Sequence, residues 1–518
     1  MHFYNYFIKK SLILALGTIF TLSAANQELP KEMQKIMNQP KYMHAIWGVY
    51  VKDLQTNKVI LDLNGNKLFS PASTTKLLSV TALLQAFGDD YRFKTPVYAT
   101  QKIQEGLLTG NLILVAQGDL IMGGREKNKD EIDYTKLDHI IANEVPGAIL
   151  TKGDPLRGIN DLAKQIYQLG LREIIGDVLI DDRLFEIIEK RGMSLSPIMI
   201  NENLIDIVAN PTIVGEKARL TWRPQIPEFA IENQLVTGRP KENMSIEITT
   251  DPVGNKIIVK GIVPADQRDI VHTVSIKNPK EFARAAFIQA LKDAGIKINL
   301  RPKDSSKFQL PENYENLTQV ALWTSPPLSE YAKLILKVSH NLGADLVPLL
   351  LASQKGQKTF DEGMLLLGKY AIDDVNMSED TFVLVDAAGG NENRLTPKAV
   401  IQLLEFMSKK SPENFKKFYG ALPIMGVDGS LEDFGKNSSS TGKIRAKTGT
   451  GVAHNLATGN FFLITQALAG YIEGENGHLF AYMIAVNNGE LPTINDIFAI
   501  FEDESRLSDA LYQYINQN

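Results

Sequence analysis

An α+β fold, with helices around an antiparallel sheet and a mostly β inserted region, follows from two periodicities that alternate along this chain. Helical spacing marks residues 74–87, where Leu77, Leu78, Val80, Leu83 and Leu84 recur before Gly88, and it returns over 328–352, 358–370 and 397–408. Residues 443–447, 458–463, 468–472 and 480–486 instead alternate like strands of an antiparallel sheet, and an amphipathic pattern over 494–515 closes the chain. From about 91 to 307 the character changes to short β-prone runs and charged turns, as at 112–116, 177–181, 245–249 and 256–263. That stretch reads as an insert of one or two mostly β subdomains.

The first residues read as an address. Lys9 and Lys10 precede an apolar run over 12–22, and the small residues Ser23, Ala24 and Ala25 follow it. The run is shorter than the roughly 20 residues that cross a bilayer. Residues 1–25 are therefore expected to be a cleaved signal peptide, leaving an exported, periplasmic protein with no stable membrane span. Next, the β-prone runs 47–51 and 59–63 flank Asp53, Gln55, Thr56 and Asn57 in a hairpin pattern. Ser70, Pro71 and Ala72 then lead into the first helix, which sets Ser73 at its N-terminus. Residues 123–158, polar and rich in Lys, Asp and Gly, are expected to form a long surface excursion. One helix, 279–294, is expected to close the insert. The expected organisation is thus 26–90 joined with 308–518 as one discontinuous domain, interrupted by 91–307.

Bulk composition narrows the chemistry by exclusion. The 518 residues are 44% hydrophobic and 22% charged, enough for a large core and more than one domain. A net charge of -5, without long blocks of one sign, gives no surface for nucleic acid. There is no cysteine, so disulfides, thiolate catalysis and Cys-ligated zinc are all excluded. The seven histidines are scattered, with no pair spaced on one helical face to hold a metal, and no metal or other cofactor is expected. Oligomeric state cannot be read from the chain.

Chemistry enters with Ser73-Thr74-Thr75-Lys76. Residues three apart share a helical face, so the Lys76 amine can reach the Ser73 hydroxyl. A serine hydroxyl is a poor nucleophile until a base takes its proton, and an amine serves if burial or neighbouring cations depress its pKa. Taken alone, the pair is better explained as a helix cap and a solvated lysine. The same spacing recurs at Ser440 and Lys443, within a Ser/Gly-rich turn that would not fix the two on one face. Two further elements shift the balance: Ser339-His340-Asn341 in a helical region, and Lys447-Thr448-Gly449 on an expected strand.

In this order the three elements resemble the serine penicillin-recognising superfamily, and within it the D-Ala-D-Ala carboxypeptidase/endopeptidase family of penicillin-binding proteins, those like penicillin-binding protein 4. Family-like segments also cover 71–78, 176–182, 422–431, 442–450 and 486–488. The long separation of Ser73 from Ser339 fits the family's inserted domains, which compact β-lactamases lack. The resemblance implies a penicillin-binding, β-lactamase-like transpeptidase domain that acts on peptidoglycan stem peptides and is acylated by β-lactam antibiotics. It implies that Ser73 attacks the penultimate D-Ala carbonyl while Lys76 takes the proton, and that Ser339 relays a proton to the departing amine. Asn341 would hold Lys76 and the substrate amide, and Lys447, Thr448 and Gly449 would receive the terminal carboxylate. The oxyanion would sit between the backbone N–H groups of Ser73 and Thr450. His340 and His454 flank these motifs and are left outside the catalytic set.

The likeness has a gap. Where family members carry Asp-Gly-Ser-Gly-Leu-Ser-Arg, this chain has Asp386-Ala387-Ala388-Gly389-Gly390-Asn391-Glu392, and only residues 393–397 resume the pattern. Two alternatives stay open at this stage: a β-lactamase or D-amino-acid ester or amide hydrolase of the same superfamily, and a catalytically weak peptidoglycan-binding scaffold.

Overall fold

The computed structural model describes residues 28–251, 254–300 and 310–517. The signal peptide expected at 1–25 and the junction expected at 307–308 lie outside the described residues.

One five-stranded antiparallel sheet organises the two ends of the chain. Its order is Val59–Leu63, Ile46–Asp53, Leu479–Leu491, Phe461–Glu473, Ile444–His454, so the last of these forms an edge. Strand alternation divides the sheet into two faces. Tyr50, Ala467, Ala469, Tyr471, Ala481, Met483 and Ala485 enter a core shared with a cluster of helices. Val49, Val51, Leu468, Ile472, Tyr482 and Ile484 instead pack against Lys31–Met37 and the terminal helix Asp496–Gln517. The strands expected separately at 458–463 and 468–472 merge in the single strand Phe461–Glu473, while 458–460 lie in the turn before it. Residues 464–466 interrupt the apolar alternation without interrupting the strand.

At the centre of the helical face lies Lys76–Phe87, preceded by a 3₁₀ turn over Ala72–Thr75. Every residue from Lys76 to Leu84 is buried, so this stretch of the helix has no solvent side. It packs on Leu328–Lys337 and Asn341–Gln354. The sequence reads 328–352 as one helix, but Ser339 adopts φ +60 and divides it in two. The imidazole Nδ1 of His340 accepts a hydrogen bond of 3.0 Å from the Gly343 N–H and caps the second helix.

The residues expected as an insert, 91–307, share a second core with the strand Thr318–Thr324, which lies beyond the expected junction. A mixed sheet orders Thr318–Thr324, Lys94–Ala99, Leu112–Val115 and Val178–Asp181, and helices Arg157–Gln168 and Pro279–Asp293 pack beside it. Two three-stranded sheets, built on Leu204–Asn210 and on Lys256–Pro264, share its apolar interior. Two expectations are corrected here. Helix Arg157–Gln168 stands beside the one expected at 279–294, and residues 123–158 are a surface excursion only in part, with 127–131 and 143–147 exposed. Ile132 is fully buried in the core of the helical cluster, and Arg125, Asp138 and His139 are buried as well. Their charges look like surface composition but are satisfied internally.

Candidate active site

Lys76 is the hub of a polar groove between helices and sheet. Burial strips water from its amine and is the main reason its pKa falls to about 7; nearby Asp345 and Asp386 oppose that fall, whereas Arg191 adds to it. The amine lies 2.7 Å from each of three oxygens: Ser73 Oγ, Asn341 Oδ1 and the Ala388 carbonyl. As a neutral amine, Lys76 gives two N–H donors to Asn341 and Ala388 and turns its lone pair toward the Ser73 hydroxyl. That is a general-base geometry.

The remaining sequence-predicted residues converge on the same groove. Lys447 stands opposite Ala469 on the helical face of the edge strand, and its Nζ donates to Ser339 Oγ at 2.9 Å and to the Thr448 carbonyl at 2.7 Å. Burial, then the Lys76 charge, holds Lys447 well below the ordinary amine range. Two ammonium groups so close and so dry repel each other, which favours one neutral amine. Ser430, from the segment 422–431, lies within 2.9 Å of Thr448 Oγ1. Gly449 permits the close approach of strand and nucleophile turn: a Cβ there would stand 2.4 Å from the Pro71 carbonyl and 3.1 Å from the Ser73 nitrogen. Thr450 is exposed at the groove, and its hydroxyl donates to Gln466 Oε1 at 2.7 Å. Gln466 Nε2 in turn donates to Glu504 at 2.6 Å, whose carboxyl burial raises to about 8. Ser440 and Lys443 lie apart from the groove, in a turn where the Lys443 N–H bonds the Ser440 carbonyl.

Local structure explains how Ser73 is presented. Ala72 takes φ +40, a strained value that lifts Ser73 out of the incoming chain. The Ser70 N–H donates to Asn487 Oδ1 at 2.9 Å and its carbonyl accepts from Thr465 Oγ1 at 2.7 Å, which ties the turn to the sheet.

The divergent segment 386–392 meets this turn through its backbone. Asp386 Oδ1 accepts hydrogen bonds from the N–H groups of Ala388, Gly389 and Gly390, curling the segment so that the Ala388 carbonyl faces Lys76. A Cβ on Gly389 would fall 1.9 Å from the Ala72 carbonyl, and its φ is +102. The groove encloses about 550 Å³ and is also lined by Lys190, Arg191, Asp345 and Asn391. Arg191 arrives from an insert hairpin, 3.4 Å from Asp345 and 3.2 Å from Asp386. Sequence reasoning missed Asp345 and Arg191. Asp345 follows Asn341 by four positions, a helical spacing that could have placed it on the same face; Arg191 carries no local signal.

Comparison with known proteins decides what the groove belongs to. The sequence model of the D-Ala-D-Ala carboxypeptidase 3 (S13) family matches residues 29–505. The chain belongs to this family. It is a serine DD-peptidase, with the fold and enzyme class that the sequence resemblance implied. The D-alanyl-D-alanine carboxypeptidase of an Actinomadura species is 24% identical over 492 residues, spanning 89% of this chain and 81% of that protein. The Haemophilus influenzae D-alanyl-D-alanine carboxypeptidase DacB is 24% identical over 497 residues, spanning 90% and 91%. The crystal structure of penicillin binding protein 4 from Haemophilus influenzae covers 93% of this S13 chain and 99% of its own, with a TM-score of 0.70 at 20% identity. Among the described residues of this S13 protein, no helix is long and apolar enough to cross a membrane.

Proposed function

We propose that this S13 enzyme cleaves the D-Ala-D-Ala bond of peptidoglycan stem peptides through an acyl-enzyme on Ser73. The carrying observation is the dry amine of Lys76, which reaches Ser73 Oγ at 2.7 Å with its other neighbours fixed. Lys76 takes the hydroxyl proton as Ser73 Oγ bonds to the penultimate D-Ala carbonyl carbon. The negative charge on the carbonyl oxygen is met by the backbone N–H groups of Ser73 and Thr450. As the C–N bond breaks, the proton passes through Ser339 to the departing D-Ala amine. Water, deprotonated by Lys76, then attacks the ester and restores the Ser73 hydroxyl.

Asn341 orients Lys76 and the substrate amide, while Lys447, Thr448 and Gly449 form the wall that receives the terminal carboxylate. An arriving carboxylate offsets the burial of Lys447 and so favours its charged form. A β-lactam ring enters by the same attack and leaves a persistent ester. The edge strand Ile444–His454 offers a backbone ladder along which an extended peptide lies. We divide the chain into a catalytic part, 26–90 with 308–518, and an insert, 91–307, whose sheet takes the strand Thr318–Thr324 from the catalytic part, and assign the mature protein to the periplasm after removal of residues 1–25.

Purified enzyme is to be incubated with a fluorescent penicillin and with cross-linked muropeptides, beside Ser73→Ala. Covalent label and free D-Ala are expected from the parent only. Label retained by Ser73→Ala would refute the assignment of the nucleophile. Whether terminal or cross-link bonds are cut is read from the muropeptide products, and the mature N-terminus is read by sequencing the exported protein.

A further inference from the structure

The insert reaches the second motif through charge. Arg125, Asp138, His139, Glu202 and Asp206 are buried together, with Arg223 closing one side. The Arg125 guanidinium binds Asp138 by two hydrogen bonds of 2.8 Å and also binds Glu202. His139 lies 2.7 Å from Asp206 and 3.0 Å from Glu202. Asp138, His139 and Glu202 are near enough to ligate a metal, but the guanidinium fills the space among the carboxylates. With His139 protonated, three carboxylates face three cations, so the cluster is neutral.

One partner in this cluster comes from the catalytic helices. His340, with no solvent exposure, has its Nε2 2.8 Å from a Glu202 carboxylate oxygen. Its Nδ1 is already engaged as the acceptor of the Gly343 cap, so Nε2 carries the hydrogen and donates it to Glu202. The imidazole is thereby fixed at both ends. Its neighbours on either side are Ser339, which accepts from Lys447, and Asn341, which accepts from Lys76. Both ends of the link are strained: Ser339 holds φ +60, and Asn201, Glu202 and Asn203 hold +50, +57 and +58 in succession. Non-glycine residues stay in this region only where their surroundings over-determine them. Side-chain bonds from Asn201 to the Leu204 carbonyl and from Asn203 to the Ser194 carbonyl provide that constraint on the insert side.

The geometry points to Glu202 and His340 as positioning residues: the insert's buried carboxylate holds the imidazole that aims Ser339 at Lys447 and Asn341 at Lys76. The insert is then a working part of the active site, and its charge cluster is the clamp. This rests on the roles proposed above for Ser339 and Asn341.

His340→Asn separates the clamp from the cap, because Asn is a strong N-cap whose shorter side chain does not reach Glu202. Glu202→Gln keeps the shape and removes the charge. Each variant is compared with the parent for fluorescent-penicillin acylation, per folded molecule, across pH. Acylation is expected to slow by about 10- to 100-fold, with a displaced pH midpoint because Asn341 no longer fixes the Lys76 amine. Folded variants that acylate at the parent rate with the parent midpoint overturn the proposal. So does failure of both variants to fold, which would make the cluster a stability element only. Ser339→Ala and Asn341→Ala serve as references. If they too acylate like the parent, the reading of the site has failed; if they are slow while His340→Asn is not, only the clamp has failed.

Discussion

A lysine is a base only where water has been removed from it. Lys76 opens a stretch of helix that is buried on every side as far as Leu84, and its pKa drops to about 7 for that reason first. Acylation by penicillin is therefore expected to rise with pH through about 7, as the amine becomes neutral, until other groups intervene. The charges facing it are Asp345, Asp386, Arg191 and Lys447. Asp345→Asn removes a charge that raises the Lys76 pKa, so the rising limb should move to lower pH; a limb that stays or moves up contradicts this. Lys76→Ala is expected to slow acylation by about 10²- to 10⁴-fold. Ser73, Lys76 and Lys447 were legible as residues because their chemistry is in their side chains. The third partner of Lys76 was not, since the Ala388 carbonyl is backbone, and any residue supplies one.

Elements show where periodicity misleads. The break at Ser339 is invisible to it, because Ile335, Val338, Leu342, Leu346 and Leu349 continue the helical spacing straight across. The strand Phe461–Glu473 was read as two for the opposite reason. Thr465 and Gln466 are polar, yet both are buried with assigned partners, Ser70 for one and Glu504 for the other. On the edge strand, Gly449→Val is expected to yield a folded protein that acylates at least about 100-fold more slowly, because the new side chain drives the strand off the Ser73 turn. Circular dichroism checks the fold and penicillin labelling checks the rate. Acylation close to that of the parent would mean that the strand and turn need not approach so closely.

Across the whole molecule, stability is coupled to pH through the cluster joining insert and catalytic helices. Burial lowers the His139 pKa, but Asp206 and Glu202 more than reverse this and raise it to about 10. Its unfolded value is about 6.5. A raised folded pKa means that the stabilisation is fully present below about 6.5 and is lost as pH climbs through about 10. The melting temperature is expected to fall over that window, and His139→Gln should flatten the decline. In the catalytic core, Leu349→Ala is expected to cost about 2–5 kcal/mol in urea unfolding, since Leu349 is fully buried. The composition of 123–158 concealed this cluster: paired internal charges and a solvated loop have the same letters.

The pairing of Ile46–Asp53 with Leu479–Leu491 bears on when the enzyme comes into being. A ribosome must extend the chain from Asp53 to beyond Leu479 before the second strand exists to receive the first. Until then the Ser73 turn has no Asn487 to anchor it, and the edge strand Ile444–His454 has no complete sheet to hold it in place. Contacts this distant in sequence form slowly. A nascent or unfolded chain thus carries Ser73 as an ordinary hydroxyl, and hydrolytic power arises only when both ends of the chain have met in the sheet.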